Sequence, residues 1–103
     1  MIRAVFSGTT LRVQGHAGAA PYGQDLVCAA VSSLVYALAQ RIRELDEQGA
    51  LKTSPRIRLD SGSAVISASA RKKYQKQVAE DFRLIESGLK LLSGHYPEQV
   101  AVR

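Results

Sequence analysis

The sequence predicts an α+β fold, a small mixed sheet with the order β-β-α-β-β-α-β and two long helices packed on it. Two pairs of short stretches in which apolar and polar residues alternate, each pair joined by turn residues, read as hairpins. Two longer stretches with apolar residues three and four apart read as helices. Hairpins and helices follow one another in sequence, the pattern of one sheet covered by its helices. The 103 residues are one domain's worth, 1–103, enough to bury about two-thirds of the unfolded surface in one core without disulfide or metal staples.

Each element rests on its own residues. Ile2, Ala4 and Phe6 alternate with Arg3, and Leu11 and Val13 with Arg12 and Gln14, across the turn residues Ser7-Gly8-Thr9. Alternation then puts Arg12, Gln14 and His16 on the face opposite Leu11 and Val13, so that His16 leaves the strand end facing outward. From Asp25 to Gln48, the residues Val27, Val31, Leu34, Val35, Leu38, Ile42 and Leu45 form a core-facing stripe, with Asp25 as N-cap and Gly49 as stop. Ile57 and Leu59 alternate with Arg56 and Arg58, turn at Asp60-Ser61-Gly62, and return through Val65-Ile66. Val78, Phe82, Ile85, Leu89 and Leu92 make the second helical stripe, which Gly94 ends, and Val100-Ala101-Val102 closes the chain's order as a short strand.

Composition narrows the function classes without choosing one. A hydrophobic fraction of 46% with 22% charged residues is that of a globular protein. No apolar run approaches the roughly 18 residues of a membrane span, and "MIRAVF" lacks a signal-peptide pattern, so a cytoplasmic protein is expected. The net charge of +5 suits nucleic acid, an acidic surface or the neighbourhood of the ribosome alike. Arg71-Lys72-Lys73 with Lys76 reads either as the solvated start of a helix or as a docking patch.

The chemistry concentrates in "GHAGAAPYGQDLVCAAVSS", residues 15–33, which holds the single cysteine, Cys28, and one of the two histidines, His16. One cysteine makes no internal disulfide, so Cys28 is a small core residue or a working thiol. Thiols attack as thiolates, which a helix N-terminus or an imidazole stabilises. Cys28 lies three positions after the cap, where unpaired backbone N–H groups favour negative charge. The segment Ala17, Gly18, Ala19, Ala20, Pro21, Tyr22, Gly23 and Gln24 can fold His16 back to the sulfur. It is longer than a plain strand-to-helix connection and is either a loop moving over a site or an idle surface loop. Zinc would need a third and fourth ligand, and His95 sits at the far end of the second helix, so no metal is expected. The serines of "SGSAVISASA" lack an evident base with its orienting carboxylate.

"GHA" at a strand end, a glycine-containing loop and "DLVCAAVS" opening a helix resemble the ribosomal-processing cysteine protease family, Prp. The length, the element order and the tail "GLKLLSGHYPEQVAV" are similar across nearly the whole chain. The resemblance implies a cysteine endopeptidase without cofactor that removes the N-terminal extension of a large-subunit ribosomal protein precursor, ribosomal protein twenty-seven. It implies Cys28 as nucleophile, His16 as general base and later acid, Asp25 and Ser32 as supporting residues, and the His-to-Cys segment as a mobile loop. It further implies a homodimer, no membrane partner, and cleavage after an aromatic-rich stretch. Direct nucleic-acid binding is not expected of such an enzyme. The alternative is a non-catalytic ribosome-associated or RNA-binding module using Arg56, Arg58, Arg71, Lys72 and Lys73. No third member of the catalytic set stands out, and the backbone N–H groups at the helix start are the expected oxyanion donors.

Overall fold

The computed structural model describes residues 1–16, 18 and 25–103. The chain runs β1 (Ile2–Ser7), β2 (Thr10–Gln14), α1 (Leu26–Glu47), β3 (Arg56–Asp60), β4 (Ser63–Ser67), a single 3-10 turn (Lys72–Tyr74), α2 (Gln75–His95) and β5 (Val100–Val102). The predicted order and class are those observed. The 3-10 turn is an addition, and α2 runs through Gly94 to His95 because one glycine near a helix end costs only about 1 kcal/mol.

The five strands lie in the order β3-β4-β2-β1-β5. Both hairpins and the β2–β4 pair are antiparallel, and β5 runs parallel to β1 at the edge. The connections β2-α1-β3 and β4-α2-β5 each join parallel strands that have others between them. They travel in opposite directions along the sheet from strands of opposite sense, so one crossover hand puts both helices on the same face.

The core follows from that layering. Ile2, Ala4, Leu11, Val13, Ile66 and Val100 point from the sheet into a cluster with Val31, Leu38, Ile42 and Leu45 of α1 and Val78, Phe82 and Leu89 of α2, all buried. Arg41 Nε on α1 donates to Asp81 Oδ2 on α2 at 3.1 Å, tying the helices together beside the core. By length and composition α1 is long and apolar enough to cross a membrane, which a search for uninterrupted apolar runs does not detect. Its stripe Val27, Val31, Val35, Leu38, Ala39, Ile42 and Leu45 is buried against the sheet and α2.

The opposite face of the sheet has no described element over it. Arg3, Val5, Arg12, Gln14, Arg56 and Arg58 stand exposed there. An uncovered antiparallel face with polar outward residues is stable in water, so bareness alone does not require a covering partner.

Candidate active site

The predicted N-cap forms at the mouth of α1. Asp25 has extended backbone, and its Oδ1 accepts the N–H of Val27 and of Cys28, each at 3.0 Å. Cys28 is thus held in the first turn of α1, half-buried against the core and in no disulfide. The cap alters one expectation, because two of the helix-start N–H groups assigned to an oxyanion already bond the Asp25 carboxylate. An oxyanion formed there competes with Asp25 for the Cys28 N–H.

His16 arrives from the end of β2 by a route that strand alternation does not give. Gly15 has φ +101°, and a Cβ on it would stand 2.1 Å from the Met1 carbonyl oxygen. Only glycine fits there, and the positive φ ends the alternation that Leu11 to Gln14 follow. The Gly15 N–H donates to the Gly62 carbonyl at 2.9 Å, which lashes this strand end to the β3–β4 turn. The imidazole lies on Gly62, where a Cβ would meet His16 Nε2 at 2.6 Å.

One cavity of about 550 Å³ joins these pieces. Cys28, Ser32 and Tyr36 line it from successive turns of α1, next to the core stripe, and His16, Gly18 and Asp25 line it as well. Ile2, Val13, Leu59 and Ala64 give it an apolar floor from the helix-side face of the sheet. Ser61, Gly62 and Asp60 line it from the β3–β4 turn, the Asp60 carboxylate pairing with Arg58 Nη2 at 3.5 Å. No lysine or arginine is among the described residues that line it.

The four residues singled out from the sequence, His16, Asp25, Cys28 and Ser32, therefore share one cavity. Of the proposed loop, Gly18 lines the cavity, while Ala17, Ala19, Ala20, Pro21, Tyr22, Gly23 and Gln24 lie outside the described residues. Sequence reasoning missed Tyr36, Leu59, Ser61 and Gly62. Tyr36 was within reach, since 28, 32 and 36 are spaced by four on one helix. The β3–β4 turn depends on the pairing of Gln14 with Ser63, which the sequence does not announce. Among the described residues no group of three or more histidine, cysteine or acidic side chains could hold a metal ion.

A thiol at a helix start, an imidazole on the same cavity and an apolar floor are the parts of a site for nucleophilic attack on a bound chain. The fold has known counterparts. A crystal structure of the essential ribosomal processing protease Prp from S. aureus, with a covalently linked product peptide, superposes with a TM-score of 0.75 at 19% identity, covering 99% of this chain and 95% of that one. The crystal structure of SMU.848 from Streptococcus mutans is 27% identical with a TM-score of 0.69, covering 100% of this chain and 92% of that one. A search of the curated proteins found no match. The family model described as cysteine protease Prp matches residues 1–101, so the chain belongs to the Prp family and is a cysteine protease.

Proposed function

We propose that this protease is an endopeptidase that removes the N-terminal extension of a large-subunit ribosomal protein precursor, ribosomal protein twenty-seven, in the cytoplasm during ribosome maturation. It works as a homodimer of single-domain chains, residues 1–103, without metal or cofactor. The observation that carries this reading is the convergence of Cys28 and His16 on one cavity with an apolar floor. Two crystal structures of the S. aureus protein hold a product peptide and a substrate peptide, which supports an extended peptide as the ligand of this fold.

In this mechanism Cys28 Sγ attacks the scissile carbonyl carbon while the His16 imidazole takes the thiol proton. The tetrahedral intermediate collapses to a thioester on Cys28. His16 gives its proton to the leaving amine, then takes one from the water that hydrolyses the thioester, and the thiol is restored. Asp25 holds the helix mouth and Ser32 lies one turn below the nucleophile. Ile2, Val13, Leu59 and Ala64 suit the aromatic side chains before the cut better than charged ones.

The test is incubation with the host's ribosomal precursor and mass spectrometry of the products. Native protein releases the extension, and Cys28→Ala and His16→Ala each abolish cleavage. Replacing the aromatic residues before the cut by alanine slows cleavage far more than added salt does. Near-normal cleavage by either variant overturns the assignment of that residue, and an untouched precursor overturns the substrate.

A further inference from the structure

The bare face of the sheet is a single basic surface. Residues of β1, β2, β3 and β4 that alternate with the core positions face away from the helices, and β5 is continued by Arg103, whose N–H donates to Ala4 O and whose carbonyl accepts the Phe6 N–H, both at 2.9 Å. That pattern seats Arg103 beside Val5. The register then sets Val5 against Arg12, Arg12 against Val65, and Val65 against Arg58. One row therefore crosses all five strands as Arg103, Val5, Arg12, Val65, Arg58, with an arginine on every second strand and their backbone positions roughly 10 Å apart. Arg3 and Arg56 stand in the adjoining rows on the same face.

Five of the nine arginines of the chain stand on this face and none of its five lysines. Its one acidic residue, Asp60, pairs with Arg58. We propose that this face docks the phosphate backbone of double-helical RNA. Guanidinium is the group that binds phosphate with a planar, two-donor fork. None of its described residues is aromatic, so they offer no platform on which the bases of a single strand could stack. Charge repeated at regular strand intervals matches a rigid duplex read through its backbone and shape. A second copy of the chain is a poor occupant, because a symmetric pairing of this face would oppose arginine to arginine. The choice of RNA over DNA rests on the proposed ribosomal substrate, whereas the surface itself rests on the register and the charge. Asp60 borders both the face and the cavity, but none of the five arginines lines the cavity, so docking and cleavage are separable.

The experiment is fluorescence anisotropy of the full chain with a labelled 20-base-pair RNA duplex, over a series of salt concentrations. Separate arms use the same sequence as DNA and a 20-residue polyglutamate peptide, and cleavage of a precursor peptide without RNA is measured in parallel. Contacts from five arginines give a log–log salt slope of about −4 to −5, and Arg12→Gln with Arg103→Gln flattens it by about 2. The same double variant leaves peptide cleavage unchanged, which also shows that it is folded. Lys72→Gln with Lys73→Gln, away from the row, leaves the slope as it was. No binding at low salt, a slope that ignores the arginine variants but follows the lysine pair, tighter binding of the DNA duplex, or equal binding of polyglutamate each overturn the proposal. Failure of peptide cleavage with RNA binding intact would tell against the proposed function and not against this surface.

Discussion

Gly62 has no side chain, and the His16 ring occupies the space one would take. Its φ of +75° already disfavours any other residue, and a Cβ would press on Nε2 at 2.6 Å. Gly62→Ala therefore costs about 1–2 kcal/mol of stability from the left-handed backbone. Because the ring must also shift, kcat falls about a hundredfold, with KM little changed. Steady-state kinetics on a precursor peptide beside a thermal melt separate the two effects, and a melting loss with kcat intact would refute the positioning role. Asp25 admits a subtler pair of variants. Asp25→Ala removes the acceptor for two N–H groups and lowers stability by about 0.5–2 kcal/mol, while Asp25→Asn caps almost as well; equal melting of the two would show that the cap contributes nothing. His16, Cys28 and the Asp25 cap were legible in the sequence because they sit within one short segment whose local chemistry can be read in line, whereas Ser32 came only from the family resemblance. Gly62 was legible only as a turn residue, since its role exists only once β4 is registered against β2. The outward-facing reading of His16 followed from strict alternation, which Gly15 interrupts.

At the scale of elements the sequence was nearly complete, for a physical reason. The helices and the strands β1 to β4 are amphipathic with the period of their own geometry, and the breaks are marked by Gly8, Gly49 and Gly62, all with positive φ. What escaped were the short connections, the 3-10 turn at Lys72–Tyr74 and the bridge between Leu51 and Ala70, which have no period to read. The helix that presents Cys28 also crosses the centre of the core, so the site depends on packing far along its length. Leu38 is 1% exposed, three turns from Cys28. Leu38→Ala leaves a cavity costing about 2–5 kcal/mol, and in a domain of this size the Tm falls by at least about 8 °C. Calorimetry reads this directly. Below the lowered melting point the variant keeps its cleavage activity, because the cavity lining is untouched; a Tm within a degree or two of native would mean that the α1 core stripe is not what holds this helix.

For the whole molecule, the two outer faces differ in kind, and neither could be seen in the sequence. Arg56 and Arg58 lie near Arg71, Lys72 and Lys73 along the chain, but register groups them instead with Arg3, Arg12 and Arg103. The bare sheet face does not itself call for a homodimer, because it is polar and strongly positive. The helix layer offers the better surface. Leu84 and Leu91 are 69% and 63% exposed and seven residues apart on α2, which aligns them on one face. They flank Gly88, where α2 packs closely on Leu34 of α1, so both lie along the outer ridge between the helices. A stable pair needs roughly 600 Å² or more from each chain with an apolar centre, and this ridge supplies such a centre without setting like charges together. Light scattering of the native chain at micromolar concentration is expected to give twice the chain mass, and Leu84→Glu with Leu91→Glu to give the single mass, with the fold kept because both side chains are already in solvent. A native chain of single mass over that range would remove the homodimer from the proposed function, and a double variant that still pairs would move the interface off the helix layer.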